Sequence, residues 1–174
     1  MQYTLDGFEA PPELSTEEEK SNQQLQTKIR GILEEFKYAE GNNLAIPKTF
    51  KTRVPYEDLY GLKAFSAFVI NHPLDGLTRV EPHQQQVSGS VDRKFPFFLQ
   101  SAHKAPEPNV IILIEGQGHK KAAFEWLKSE ATKCAEKNIK CYDLAEFTLQ
   151  GEIVNILLKI KNSFLPTKQI LIGL

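Results

Sequence analysis

The sequence is poor in several things, and each scarcity closes off a class of protein. Only two cysteines occur in 174 residues, Cys134 and Cys141. Seven positions apart, they give neither a disulfide framework nor the four-ligand spacing of a zinc site, so they read as buried or free thiols in a reducing compartment. Charge of one sign is also missing, since 21 basic and 22 acidic residues leave a formal net charge of −1. The whole molecule therefore offers no bulk attraction to phosphate, and any nucleic-acid contact must use a local basic patch. No apolar run approaches the roughly 18 residues that span a bilayer. Met1 to Pro12 is polar and acidic without an apolar leader, which leads us to expect a cytoplasmic protein with no membrane partner. The four histidines show no metal-ligand spacing, and neither an internal repeat nor a low-complexity tract is visible.

What is present describes a globular domain. The apolar fraction is 41%, and eleven Phe argue against disorder over the bulk of the chain. We expect a flexible tail over residues 1–14 and a single α/β domain over 15–174, built as a mixed central sheet flanked by helices.

Ser15 and Glu18 have capping-box spacing, and Leu25, Ile29, Ile32, Leu33 and Phe36 recur at helical intervals, which predicts a first helix from near Thr16. Pro55 sits where a helix begins, and Leu59, Leu62, Phe65, Phe68 and Val69 supply its apolar set, which predicts a second helix from near Tyr56. Leu77 to Gly89 reads equally as edge strand or loop. Val91 to Gln100, rich in Phe and broken by Pro96, suits a bulged or edge strand, and Ser101 to Pro108 a loop. Asn109 to Glu115, N-V-I-I-L-I-E, is a run of the kind covered on both faces, and Val110 to Ile114 is taken as the central strand. A helix from near His119 follows, with Ala123, Leu127, Ala131 and Cys134 on one face and Trp126 read as core. Ile139 to Tyr142 then gives a strand, and Asp143 and Glu146 a capping box for the next helix. Gln169 to Leu174 gives a last strand.

Chemistry concentrates around Glu115. If Asp92–Gln100 and Asn109–Glu115 form an antiparallel hairpin, Asp92 and Glu115 face one another with Cβ atoms roughly 5 Å apart. Two facing acids need a cation, and Mg²⁺, with Mn²⁺ as substitute, is bound by one or two carboxylates plus water and phosphate. Gln117 points to the same side if the strand continues, and Lys120 and Lys121 open the next helix nearby. Asp92 beside Arg93 and Lys94 reads equally as a solvated turn acid, and Glu115 before Gly116 as a strand-end acid facing water.

Asp92, followed 23 positions later by Glu115-Gly116-Gln117 at the end of a buried strand, resembles the PD-(D/E)XK nuclease superfamily in its Gln-bearing E-x-Q variant, over about residues 87–145. The resemblance implies a restriction-endonuclease-like α-β-β-β-α-β core. It implies Asp92 and Glu115 holding Mg²⁺, with Gln117 and Lys120 assisting hydrolysis of double-stranded DNA. A two-fold site would suit a homodimer. Two other readings stand beside it. I-L-I-E-G before a helix looks like the opening of a Toprim phosphoryl-transfer domain, which would use Asp143. A non-catalytic nucleotide-binding or protein-interaction module would use the Gly116 to Lys121 turn.

Overall fold

The computed structural model describes residues 16–84 and 92–163. The predicted strand at Gln169–Leu174, the 1–14 tail and the Ser15 cap lie outside the described residues. Helix α1 (Thr16–Glu35) leads into strands β1 (Ala39–Glu40), β2 (Thr49–Glu57), β3 (Lys63–His72) and β4 (Gly76–Gln84). A 3-10 turn (Asp92–Lys94) enters α2 (Phe95–Lys104), and β5 (Asn109–Glu115), α3 (Lys121–Thr132), β6 (Asn138–Tyr142) and α4 (Leu144–Ser163) complete it. Apart from the two-residue β1, the order α1-β2-β3-β4-α2-β5 is the α-β-β-β-α-β succession expected above.

One six-stranded mixed sheet joins the strands in chain order, β1 to β6. β2, β3 and β4 form an antiparallel meander, whereas β5 pairs parallel with both β4 and β6. Parallel neighbours need crossovers, and α2 and α3 supply them. Strand β5, buried at every position but the last, alternates between two cores. Ile111 and Leu113 join Leu25, Ile29 and Leu33 of α1, while Val110, Ile112 and Ile114 join Phe95 of α2 and Leu127 of α3. Burying a residue of this type stabilises by roughly 1.5–3 kcal/mol, so both faces hold β5 in the interior.

Two predicted elements are corrected. The helix expected from Tyr56 is a β-hairpin, β2 and β3, whose turn is made by Asp58: its Oδ1 accepts from the Tyr60 and Leu62 amides, and Gly61 takes φ +77°. Pro55 is tolerated because β1 pairs only with Thr49 and Phe50, leaving β2 an edge at that point where no amide is needed. The strand expected over Val91 to Gln100 is instead the entry to α2, where Pro96 occupies the first helical turn, a position whose amide lacks a helical partner anyway. No hairpin therefore joins Asp92–Gln100 to Asn109–Glu115, and helix runs on through Lys104 into the expected loop. The stretch from Leu77 is strand up to Gln84, and Trp126 is 42% exposed rather than core. The second capping box is formed as read: Glu146 N–H donates to Asp143 Oδ1 at 2.7 Å and Asp143 N–H to Glu146 Oε2 at 3.0 Å.

Candidate functional site

The parallel pair β4 and β5 ends with Gln84 and Glu115 opposite each other in register. Glu115 is in phase with Ile111 and Leu113, so it emerges on the α1 side of the sheet, and Lys28 Nζ of α1 stands 3.6 Å from its Oε1. Gln84, in phase with the core residue Val80, shares that side. Its Oε1 is sealed from solvent and has no hydrogen-bond partner among the described residues. An orphaned acceptor of this kind costs about 1–3 kcal/mol unless something fills its lone pairs.

Asp92 reaches the same strand end by a route the sequence did not suggest. Its Oδ1 accepts from the Lys120 backbone amide at 3.1 Å, so the acid 23 residues before Glu115 ties down the turn that follows Glu115. Gly116, at φ +102°, breaks the strand there. Gln117 therefore does not continue β5 but sits exposed in the turn, and Lys120 is exposed at the start of α3. The facing-strand geometry inferred for the two acids is replaced by a shared border on one turn. His119 packs its ring 5.1 Å from Phe124 and 6.1 Å from Phe95, and its Nδ1 is buried without a partner among the described residues. Asp143 is engaged as the cap of α4.

A second cluster, on the α2 side, was not singled out by the sequence. Arg79, 1% exposed, donates from Nε to Glu107 Oε2 at 2.7 Å and from Nη1 to Glu81 Oε1 at 3.1 Å. Its guanidinium carbon lies 3.7 Å from the Tyr56 ring centroid, a cation–π contact, and its Nη2 is buried with no partner among the described residues. Burial raises the Glu81 carboxyl to about 7, against the opposing pull of Arg79 and with a small push from Glu107. Burial also lowers His83 to about 4, helped by Lys94, so its ring is neutral where it stacks on Phe98 at 3.6 Å. The signal available was R-V-E-P-H, three polar side chains at alternate positions of a β4 register, legible only once that stretch is known to be strand.

Among the described residues, no group of three or more His, Cys, Asp or Glu gathers to hold a metal ion, so a cation at the Glu115 edge would draw on fewer carboxylates plus other oxygens. No described helix is long and apolar enough to cross a membrane. A family model described as PD-(D/E)XK nuclease superfamily domain matches residues 17–152. That span is far wider than the local resemblance around Asp92 and Glu115, and takes in the whole of the meander and both crossovers. No curated protein and no solved structure matches the chain.

Proposed function

Since the chain belongs to the PD-(D/E)XK nuclease superfamily, we propose that it is a divalent-metal-dependent endonuclease hydrolysing double-stranded DNA at the carboxyl end of β4 and β5. The observation that carries this reading is the Oε1 of Gln84, buried and without a partner among the described residues, in register with Glu115. A carboxamide oxygen beside a carboxylate is the hard-oxygen set that Mg²⁺ or Mn²⁺ accepts, and Asp92, held at the adjoining turn, would complete it. When bound, such an ion would supply Lewis-acid polarisation of the scissile phosphate and make a water more acidic.

The chain's own residues then have distinct tasks. Glu115 and Gln84 would hold the cation at the paired strand ends, and the Gly116 bend turns the chain away there. Lys28, 55% exposed, is placed to meet the scissile phosphate once the cation takes over Glu115. Lys120 and Gln117, both exposed on the turn, would contact the phosphate backbone, the role expected of basic and polar groups that position without reading sequence. For cutting both strands we propose a homodimer, for which the exposed α4 stripe Leu149, Ile153, Ile156 and Leu157 is a suitable surface.

The test is cleavage of a mixed-sequence plasmid with Mg²⁺ and with Mn²⁺, by wild type and by Glu115→Gln and Gln84→Leu, beside thermal melts and sedimentation. Expected are wild-type nicking that needs metal, loss of at least a hundredfold in Glu115→Gln without loss of fold, and a metal-dependent rise in melting temperature absent from both variants. A wild type that neither cleaves nor shifts its melt with metal would return the non-catalytic reading.

A further inference from the structure

The cavity over Arg79 does not belong to the Glu115 edge. It opens on the opposite, α2 side of the sheet, has a volume of about 160 Å³, and is lined by Tyr56, Arg79, Glu81, His83, Phe97 and Phe98 among others. Its chemistry is unusual in two respects. A guanidinium with 1% exposure keeps one nitrogen, Nη2, without an acceptor among the described residues, although Nε and Nη1 are each used. Few donors in folded proteins are left in that condition, because each costs the full desolvation of the group. The walls are also flat rings: His83 lies parallel to Phe98 with 7° between planes, and at the rim the exposed rings of Tyr60 and Phe97 stack at 21°.

Size, polarity and shape restrict what fits. A cavity of roughly 150 Å³ admits one benzene ring, so about 160 Å³ is room for a single six-membered ring and not for a fused pair. A bare anion is disfavoured, because Glu81 and Glu107 already set two carboxyls against one guanidinium. What is wanted is a neutral planar group with an acceptor for Nη2 next to a donor for Glu81. The Watson–Crick edge of a pyrimidine provides both: N3 or O4 as acceptor, and N4–H or N3–H as the adjoining donor.

We propose that this cavity is a recognition pocket for one unpaired pyrimidine base of a nucleic-acid strand, held by Arg79 and Glu81 and stacked on Phe97 at its mouth. Enzymes that read an extruded base use this combination of edge hydrogen bonds and aromatic walls. The proposal deepens the nuclease reading, since a base pocket on the face opposite the metal edge would select which strand or position is engaged. It does not require cleavage to be observed.

The experiment is fluorescence anisotropy of the full chain with labelled oligo(dC), oligo(dT) and oligo(dA) of about ten nucleotides, in EDTA so that no metal chemistry contributes. Oligo(dC) and oligo(dT) should bind at least tenfold tighter than oligo(dA). Phe97→Ala, an exposed position at the rim, should lose about tenfold for both pyrimidine strands. Glu81→Gln, which keeps an acceptor for Arg79, should weaken them, whereas Glu115→Gln should bind them as wild type does. Absence of binding, equal or tighter binding of oligo(dA), or unchanged affinity in both pocket variants would overturn the proposal. Because Glu115→Gln should bind in this assay yet fail to cleave, failure of the pocket and failure of the nuclease reading give different patterns.

Discussion

Two ionic clusters sit on opposite faces of one sheet and use the same residue types to different ends. At the Glu115 edge, Lys28 and Glu115 stand 3.6 Å apart with half or a quarter of their side chains in water, and neither is committed by further hydrogen bonds among the described residues. Over β4, Arg79 and Glu107 are enclosed and Glu81 is half-buried, the three held together at 2.7 and 3.1 Å with the Tyr56 ring as a floor. Water screens the first pair and leaves it free to exchange a lysine for a cation or a phosphate. In the second, low polarity strengthens each contact and equally magnifies any loss. The edge keeps its charges exchangeable, and the interior holds them in a fixed arrangement.

Removing one member of the interior cluster should break that contrast most visibly. Arg79→Met leaves the enclosed Glu107 and the half-buried Glu81 without their cation, and an expected loss of about 3–5 kcal/mol would be read as a lowered urea midpoint. Replacing all three, Arg79→Met with Glu81→Leu and Glu107→Leu, should restore most of the stability, because an apolar cluster needs no charge compensation. If the single variant is as stable as wild type, the interior cluster is solvated and the comparison fails.

Next in size is the pH dependence. Glu81, raised from 4.5 to about 7 in the fold, holds its proton when the unfolded chain has lost it, so its contribution falls as pH rises from about 4.5 to 7. His83, lowered from 6.5 to about 4, stays neutral when the unfolded chain takes a proton, so its contribution falls as pH drops from about 6.5 to 4. The two slopes oppose between about 4.5 and 6.5. Wild-type stability should therefore be nearly flat there, while Glu81→Gln should gain stability with rising pH and His83→Gln should lose it. Each slope should amount to at most ~3 kcal/mol across its window, measured as urea midpoints at several pH values. Parallel profiles for the two variants would show that neither group is enclosed as described.

The smallest effect is expected at the edge. Lys28→Ala should change stability by less than about 0.5 kcal/mol, since a pair with one partner 55% exposed contributes little. Its consequence should appear instead as weaker DNA binding with a reduced salt dependence. A large drop in melting temperature would mean that Lys28 is structural.

How far the sequence could be read differs between the two halves of the fold. The β5-α3-β6-α4 half was legible, because N-V-I-I-L-I-E is too apolar for anything but a doubly covered strand and Asp143 and Glu146 cap locally. The β2–β4 meander was not. Leu62 and Phe65 are 63% and 48% exposed while Phe68 and Val69 are buried, so apolar residues that mimic one helical stripe are in fact divided between the surface and the core of a hairpin. Pro55 and Pro96 show the same ambiguity from the other side: one lies in a strand that lacks a neighbour on one edge, the other in a first helical turn, and either place tolerates a missing amide.

The candidate site divides along the same line. By itself the sequence determined that Glu115 ends a buried strand before a glycine bend, because strand periodicity and glycine φ are properties of a few consecutive residues. Only the tertiary structure decided its neighbours: Lys28 from α1, Gln84 by the parallel register, and Asp92 through one bond to the Lys120 amide. It alone also decided that Arg79, Glu81 and Glu107 meet, for residues up to 28 positions apart come together only when a crossover helix lays β5 beside β4. Local order follows from backbone geometry, whereas which charges share a low-polarity space depends on how the sheet is wound, and no short stretch of sequence encodes that.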